Sequence, residues 1–154
     1  MKIKGLNFFP FPAKQNTELN LILLDYGAKG LGIYTMIMSQ IFGERGYYMT
    51  VDKYSLLTIK RKLGLSNDDN IVEKVIAECV NNGTFDKEKF EKYKILTSAD
   101  IQKDYLIAIR RRKDMEIIFE YIVKTSLPEL QDYLKPTSKN RLKIISLNDK
   151  SVQK

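Results

Sequence analysis

Apolar residues recur at three- and four-residue spacings in several blocks, and these blocks predict most of the elements. Leu19, Leu21, Ile22, Leu23 and Leu24 follow Asn16 and Thr17, either of which can cap a short helix. Tyr26 to Gly30 interrupts the pattern. Leu31, Tyr34, Ile37, Met38 and Ile41 then form a second helical face that stops at Gly43, with Gly46 nearby. Tyr47 to Val51 is aromatic and β-branched, which predicts a strand. Asp52 caps a helix with Leu56, Ile59 and Leu63 buried, and Gly64 ends it. Ser66-Asn67-Asp68-Asp69 resembles a capping box with Asp in place of Glu. It predicts a helix over 67–82 that buries Ile71, Val72, Val75, Ile76, Cys79 and Val80.

Thr84-Phe85-Asp86 and Ile95-Leu96-Thr97 are strand-like and can pair as a hairpin around the charged insert Lys87 to Lys94. Ser98 caps a long helix in which Ile101, Tyr105, Ala108, Met115, Phe119 and Ile122 share a register. Ser126 to Glu129 has a capping-box pattern and can start a short helix through Leu134, closed by Pro136. The organisation expected is an extended aromatic and proline arm over 1–15, a domain over 16–125 that includes the long helix, and a short helix with a mobile basic tail over 126–154. Pro10 and Pro12 keep the arm extended, and Phe8, Phe9 and Phe11 can tack it to the body. The element order is that of an α+β, mostly helical winged helix. A helix-turn-helix lies between Asp52 and Asn82, the wing is a hairpin from Thr84 to Thr97, and extra helices lie at both ends.

Composition narrows the chemistry. The 154 residues are 44% hydrophobic, enough for a core, and 26 Lys and Arg against 19 Asp and Glu give a net charge of +7. A polyanionic partner fits that balance. Without His there is no His-based triad, general base or metal ligand. One cysteine, Cys79, excludes an intrachain disulfide and fits a reducing cytoplasm. No apolar run approaches the ~18 residues of a membrane span. The N-terminus lacks the apolar core of a signal peptide, so a cytoplasmic protein without membrane partners is expected.

No motif points to catalysis. Gly27-Ala28-Lys29-Gly30-Leu31-Gly32 lacks the spacing of a dinucleotide loop, there is no Gly-Lys pair for a phosphate loop, and a helix-helix corner explains the glycines. Asp68, Asp69, Asp86, Glu88 and Glu91 do not form a nuclease-like carboxylate set, so neither metal nor cofactor is implied. Cys79 lies on an apolar face and reads as a small buried hydrophobe.

The basic clusters carry the functional reading. Lys60, Arg61 and Lys62 end the first helix of the helix-turn-helix; Lys87, Lys89 and Lys92 decorate the wing; Arg110, Arg111, Arg112 and Lys113 are the densest charge in the chain. All are candidates for DNA phosphate contacts. The segment 67–82 argues against base reading, because it sets Lys74 alone against Asp68, Asp69, Glu73 and Glu78. Its acids would be repelled by phosphates. Asp68, Asp69 and Glu73, with Phe8, Phe9 and Phe11, are therefore candidates for a protein interface.

Asp25-Tyr26-Gly27-Ala28-Lys29-Gly30-Leu31-Gly32-Ile33-Tyr34 resembles the N-terminal winged-helix domain of phage and prophage replication proteins, related to the primosomal DnaD N-terminal domain. The similarity continues at Gly46 to Met49, Lys62 to Ser66, Gly83 to Asp86, Tyr93 to Ser98, Ile101 to Tyr105 and Arg111 to Lys113, and includes Phe8-Phe9-Pro10. It spans roughly residues 6 to 114 and implies replication initiation or primosome assembly, with helicase or primase components as possible partners. Two other expectations stand beside it: an interaction and homo-oligomerisation module without direct DNA contact, and a transcription regulator.

Overall fold

The computed structural model describes residues 4–135 and 142–148. The chain divides between Thr97 and Ser98 into two compact units.

In the first unit, helix α1 runs Thr17–Gln40. Asn16 caps it, its Oδ1 accepting from the Leu19 amide at 2.9 Å. Gly27 sits inside at φ 61°, so the two expected helices are joined across a kink, as the broken apolar pattern predicts. The glycine at 30 has a packing reason: a Cβ there would lie 2.7 Å from the Tyr26 Cβ and 3.0 Å from the Ile22 carbonyl oxygen. Ile41–Arg45 continues as a π turn that ends at Gly46, φ 94°. An 18-residue window within Thr17–Arg45 reaches a mean hydropathy of 1.2, long and apolar enough to cross a bilayer, and a third of that window is buried within the chain. Counting only uninterrupted apolar runs misses this. Ile22, Ile33, Ile37 and Ile41 of this segment lie in the core, while Leu24 is exposed.

Strand β1 (Met49–Thr50) leads to α2 (Lys53–Lys62), whose capping box joins Asp52 and Ser55 in both directions, at 2.7 and 3.0 Å. Gly64, φ 69°, ends α2. Helix α3 (Ile71–Asn81) packs on α1 and α2 and buries Val72, Val75, Ile76, Cys79 and Val80. It starts later than expected. Ser66 to Asp69 form a turn ahead of it, with the Asp69 amide donating to the Ser66 carbonyl at 3.0 Å and Asp69 Oδ1 accepting from the Ile71 amide at 3.0 Å.

The expected hairpin wing from Thr84 to Thr97 does not form. The charged insert is helix α4 (Lys87–Tyr93), capped by Asp86 through the Lys89 amide at 2.9 Å. Strand β2 (Ile95–Leu96) pairs antiparallel with β1 instead, Met49 opposite Leu96 and Thr50 opposite Ile95. The Thr97 hydroxyl extends this pairing by donating to the Tyr47 carbonyl, and the Asp86 amide donates to the Thr97 carbonyl at 2.8 Å. The arm behaves as the sequence suggests for two of its rings. Phe9 stacks on Phe42 at 5.8 Å, and Phe11 meets the Tyr34 ring edge-on at 6.4 Å. A Cβ on Gly5 would lie 2.0 Å from the Gly43 carbonyl oxygen, which shows how closely the arm's backbone approaches the π turn.

The second unit begins with α5 (Ala99–Ala108), capped by Ser98 through the Ile101 amide at 3.1 Å. The long helix expected through Ile122 ends here. The chain turns over Ile109 to Asp114, the latter at φ 58°, and becomes strand β3 (Met115–Ile118) and a 3-10 turn (Phe119–Tyr121). The β-branched cluster Ile117, Ile118, Ile122 and Val123 favours this extended course over a helix. Helix α6 (Pro128–Leu134) follows, with Pro128 in its first turn and no side-chain cap, so the predicted capping box at Ser126 is not used. The Tyr133 hydroxyl ties α6 to α5 by donating to the Leu106 carbonyl at 2.6 Å.

Part of the expected mobile tail is a strand. β4 (Leu142–Ile145) pairs parallel with β3, Met115 opposite Leu142 through Ile118 opposite Ile145. The Glu120 carboxylate then accepts from the Ser146 hydroxyl at 2.6 Å and the Leu147 amide at 3.0 Å. Residues 136–141 and 149–154 of that tail lie outside the described residues.

Candidate nucleic-acid interface

The structure sorts the candidate cations by where their side chains go. Lys60 points inward and is 6% exposed. Its Nζ donates to the Asn67 carbonyl at 3.2 Å and pairs with Glu73 Oε1 at 2.8 Å. Lys60 is thus a strut across the turn between α2 and α3, bracing the two helices, and leaves the set of phosphate contacts. Glu73 leaves the interface set for the same reason. Asp69 is spent on the start of α3, while Asp68 remains exposed.

This strut gives a stability prediction. Glu73→Ala strands the Lys60 ammonium in a buried site with one carbonyl partner, and is expected to destabilise by about 1–3 kcal/mol; the half-open Glu73 keeps the loss below that of a fully buried pair. Adding Lys60→Met should recover most of the loss in a urea titration. A double variant no more stable than Glu73→Ala would refute the strut.

Arg61 and Lys62 are exposed at the end of α2. On α4, Lys87 and Lys92 are exposed and Lys89 is half-buried. These lysines lean on aromatic rings of their own segment. Lys89 and Lys92 lie 5.8 and 5.5 Å from the Tyr93 ring centre, and Lys94 lies 4.9 Å from that of Phe90. Glu88 and Glu91 on the same helix dilute their field.

Arg110, Arg111, Arg112 and Lys113 lie on the turn after α5, with the Arg112 amide donating to the Ile109 carbonyl at 2.8 Å. Arg110, Arg111 and Lys113 are exposed and Arg112 is half-buried. The negative end of the α5 dipole offsets their mutual repulsion. Burial pushes the Tyr105 phenol up to about 12, a rise that the nearby Arg112 charge opposes. Ion pairs join Lys60 to Glu73 and Lys135 to Asp132. None of Arg61, Lys62, Arg110, Arg111 and Lys113 is neutralised in that way.

The sequence reading missed two features. One is a shallow open groove of about 430 Å³ lined by Tyr26, Lys74, Ala77, Glu78, Asn81 and Asn82. At its edge a hydrogen bond with the Asp25 carboxyl, then burial, raises the Glu78 carboxyl above the ordinary range. Nothing local signals this, because Asp25 and Glu78 meet only when α1 packs on α3. The other is Tyr54, 79% exposed on α2. Its place outside the stripe of Leu56, Ile59 and Leu63 is a signal the sequence did offer. Cys79 is fully buried as expected, and burial raises its thiol to about 12. Among the described residues no group of three or more His, Cys, Asp or Glu could hold a metal ion.

The family described as Lin1244/Lin1753-like, N-terminal, matches residues 8–101. The chain belongs to this family. The match takes in the first unit from the arm to β2 and ends within the first turn of α5, so Arg110 to Lys113 lie beyond the shared Lin1244/Lin1753-like region. The chain is also 30% identical over 122 residues to the uncharacterized phage-related protein Lin1244/Lin1753 of Listeria innocua. That alignment covers 78% of this chain and 39% of the relative, so the chain spans about two-fifths of its relative's length. The comparisons support a phage association; the fold itself is α+β and mostly helical. No solved structure matches significantly.

Proposed function

We propose that this Lin1244/Lin1753-like chain is a non-enzymatic, nucleic-acid-associated protein of a phage replication system, organised on a winged-helix variant. The order α1, β1, α2, α3, α4, β2, with β1 paired to β2, supports that fold reading; α4 stands where a wing would be. Replication initiation or primosome organisation is the role, and helicase or primase components are the protein partners. The observation that carries the nucleic-acid reading is two runs of adjacent exposed cations outside the ion pairs among the described residues: Arg61 and Lys62 in the first unit, and Arg110, Arg111 and Lys113 in the second. They contact phosphates without reading sequence. Base reading by α3 is disfavoured by Glu78 and the preceding Asp68.

Titration of labelled DNA over a salt series tests this reading. Wild-type binding should weaken steeply with salt. Replacing Arg110, Arg111 and Lys113 together by Gln should flatten the slope by about 2–3 for a duplex, close to 0.9 for each phosphate that is no longer neutralised. Arg112 is left in place because its charge acts on the Tyr105 environment. No binding at low salt, or an unchanged slope in the triple variant, would remove the assignment. A second reading, a protein-interaction or homo-oligomerisation module, is favoured by Phe8 at 75% and Leu24 at 81% exposure. Of the three arm rings Phe8 is the most exposed, since Phe9 and Phe11 pack within the chain. A change of mass in solution on Phe8→Ser would support that reading.

A further inference from the structure

Tyr54 lies on the outer face of α2 in a position that packing does not explain. Thr58 follows it one turn later and Arg61 two turns later, at the i, i+4 and i+7 positions of a single stripe, with Lys62 beside the last. The Thr58 hydroxyl donates to the Tyr54 carbonyl at 2.9 Å, so it is turned back onto the helix and presents a low, flat strip between ring and guanidinium. At 1.5 Å per residue the Cα atoms of Tyr54 and Arg61 are about 10 Å apart, close to three base rises of about 3.4 Å. Helix α2 carries Lys53, Lys60, Arg61 and Lys62 and no acid. Asp52, next to it, is used by the capping box, and Lys60 is used by Glu73. The exposed face is therefore one aromatic ring followed by uncompensated cations.

That combination selects among partners. Tyr and Arg also anchor protein interfaces, where charge is depleted at the core and near-neutral contacts around the anchor exclude water; here the ring is 79% exposed and its stripe runs on to Thr58, Arg61 and Lys62. A duplex keeps its bases stacked inside and offers this face only phosphates. An unpaired base offers a free π-face to a ring, and its flanking phosphates suit Arg and Lys.

We propose that the outer face of α2 binds single-stranded nucleic acid, an unpaired base stacking on Tyr54 while neighbouring phosphates pair with Arg61 and Lys62. The proposal rests on the nucleic-acid reading above and adds strand preference and a stacking residue to it.

The test is the anisotropy of a labelled 20-mer of oligo(dT) and of a 20-base-pair duplex, titrated with the whole chain as wild type, Tyr54→Ala, Tyr54→Phe and Arg61→Gln/Lys62→Gln. The ring is solvent-exposed, so circular dichroism should show Tyr54→Ala folded as wild type. Wild type should bind oligo(dT) more tightly than duplex. Tyr54→Ala should weaken oligo(dT) binding by about 5- to 150-fold without changing its salt slope, because no charge is removed. Tyr54→Phe should bind as wild type, since the stacking face is kept. Arg61→Gln/Lys62→Gln should flatten the oligo(dT) salt slope by about 1.4, at 0.7 per phosphate. If wild type binds neither probe at low salt, the nucleic-acid reading fails and this proposal with it. If wild type binds but Tyr54→Ala matches it, or duplex binding is equal or stronger, only this proposal is overturned. A Tyr54→Ala variant that binds DNA normally but changes mass in solution would make the face a protein contact and overturns it as well.

Discussion

Gln102→Leu should unfold the second unit at a markedly lower urea concentration than wild type. Gln102 is 1% exposed on α5. Its Nε2 donates to the Tyr121 carbonyl at 2.7 Å and its Oε1 accepts from the Val123 amide at 3.0 Å. One side chain thus satisfies both a donor and an acceptor of the backbone around Ile122, where the chain has left β3 and has not begun α6. Leucine fills nearly the same space but leaves two part-buried backbone groups without this partner. A fully buried group would cost about 1–3 kcal/mol and access of water lowers that, so the total is about 1–3 kcal/mol, still a sizeable share of a domain's stability. Amide exchange should locate the effect: the Val123 amide should lose protection first, before the amides of α1 and α3 change. A midpoint within error of wild type would show that the clamp contributes nothing.

Phe85→Ala should cost about 3–5 kcal/mol and lower the melting temperature by roughly 6–20 °C. Phe85 is wholly buried, and its amide donates to the Cys79 carbonyl at 3.1 Å just beyond the end of α3. Gly83, φ 86°, turns the chain so that this ring enters the core. The next residue caps α4, so the ring also fixes where that helix starts. Phe85→Leu should cost less than half as much, since it removes less volume. The urea midpoint should move with little change in slope if the variant remains two-state. A fall below about 1 kcal/mol for Phe85→Ala would mean the site collapses around the missing ring.

The basic surface gains meaning from what the structure removes from it. Of the three cations ending α2, only Arg61 and Lys62 face solvent, and of the four cations expected on a long helix Arg110, Arg111 and Lys113 are exposed on a turn while Arg112 is half-buried. The densest charge of the sequence thus stays at the surface, although the element beneath it is a turn.

The features legible in the residues alone are local. Asn16, Asp52 and Ser98 cap helices as their short side chains dictate, Gly64 ends α2 at positive φ, and the break at Gly27 falls where the apolar pattern breaks, whereas the stop expected at Gly43 comes three residues later, at Gly46. The buried stripes of α1, α2 and α3 follow from their three- and four-residue spacing. The α4 helix was also within reach, because Asp86 followed by Lys-Glu-Lys-Phe-Glu-Lys is a capped run of helix formers. Long-range packing settles the rest. Lys60 turns inward because Asn67 and Glu73 come within its reach once α2 and α3 fold together. Ile95 and Leu96 pair with Met49 and Thr50, 45 residues earlier or more, rather than with Thr84 and Phe85. Met115 to Ile118 become a strand because Leu142 to Ile145 supply hydrogen-bond partners from a segment that reads as a polar tail. In each case the deciding partner is brought in by the fold. A backbone hydrogen bond or buried charge takes its free energy from that partner, and local periodicity carries no information about it.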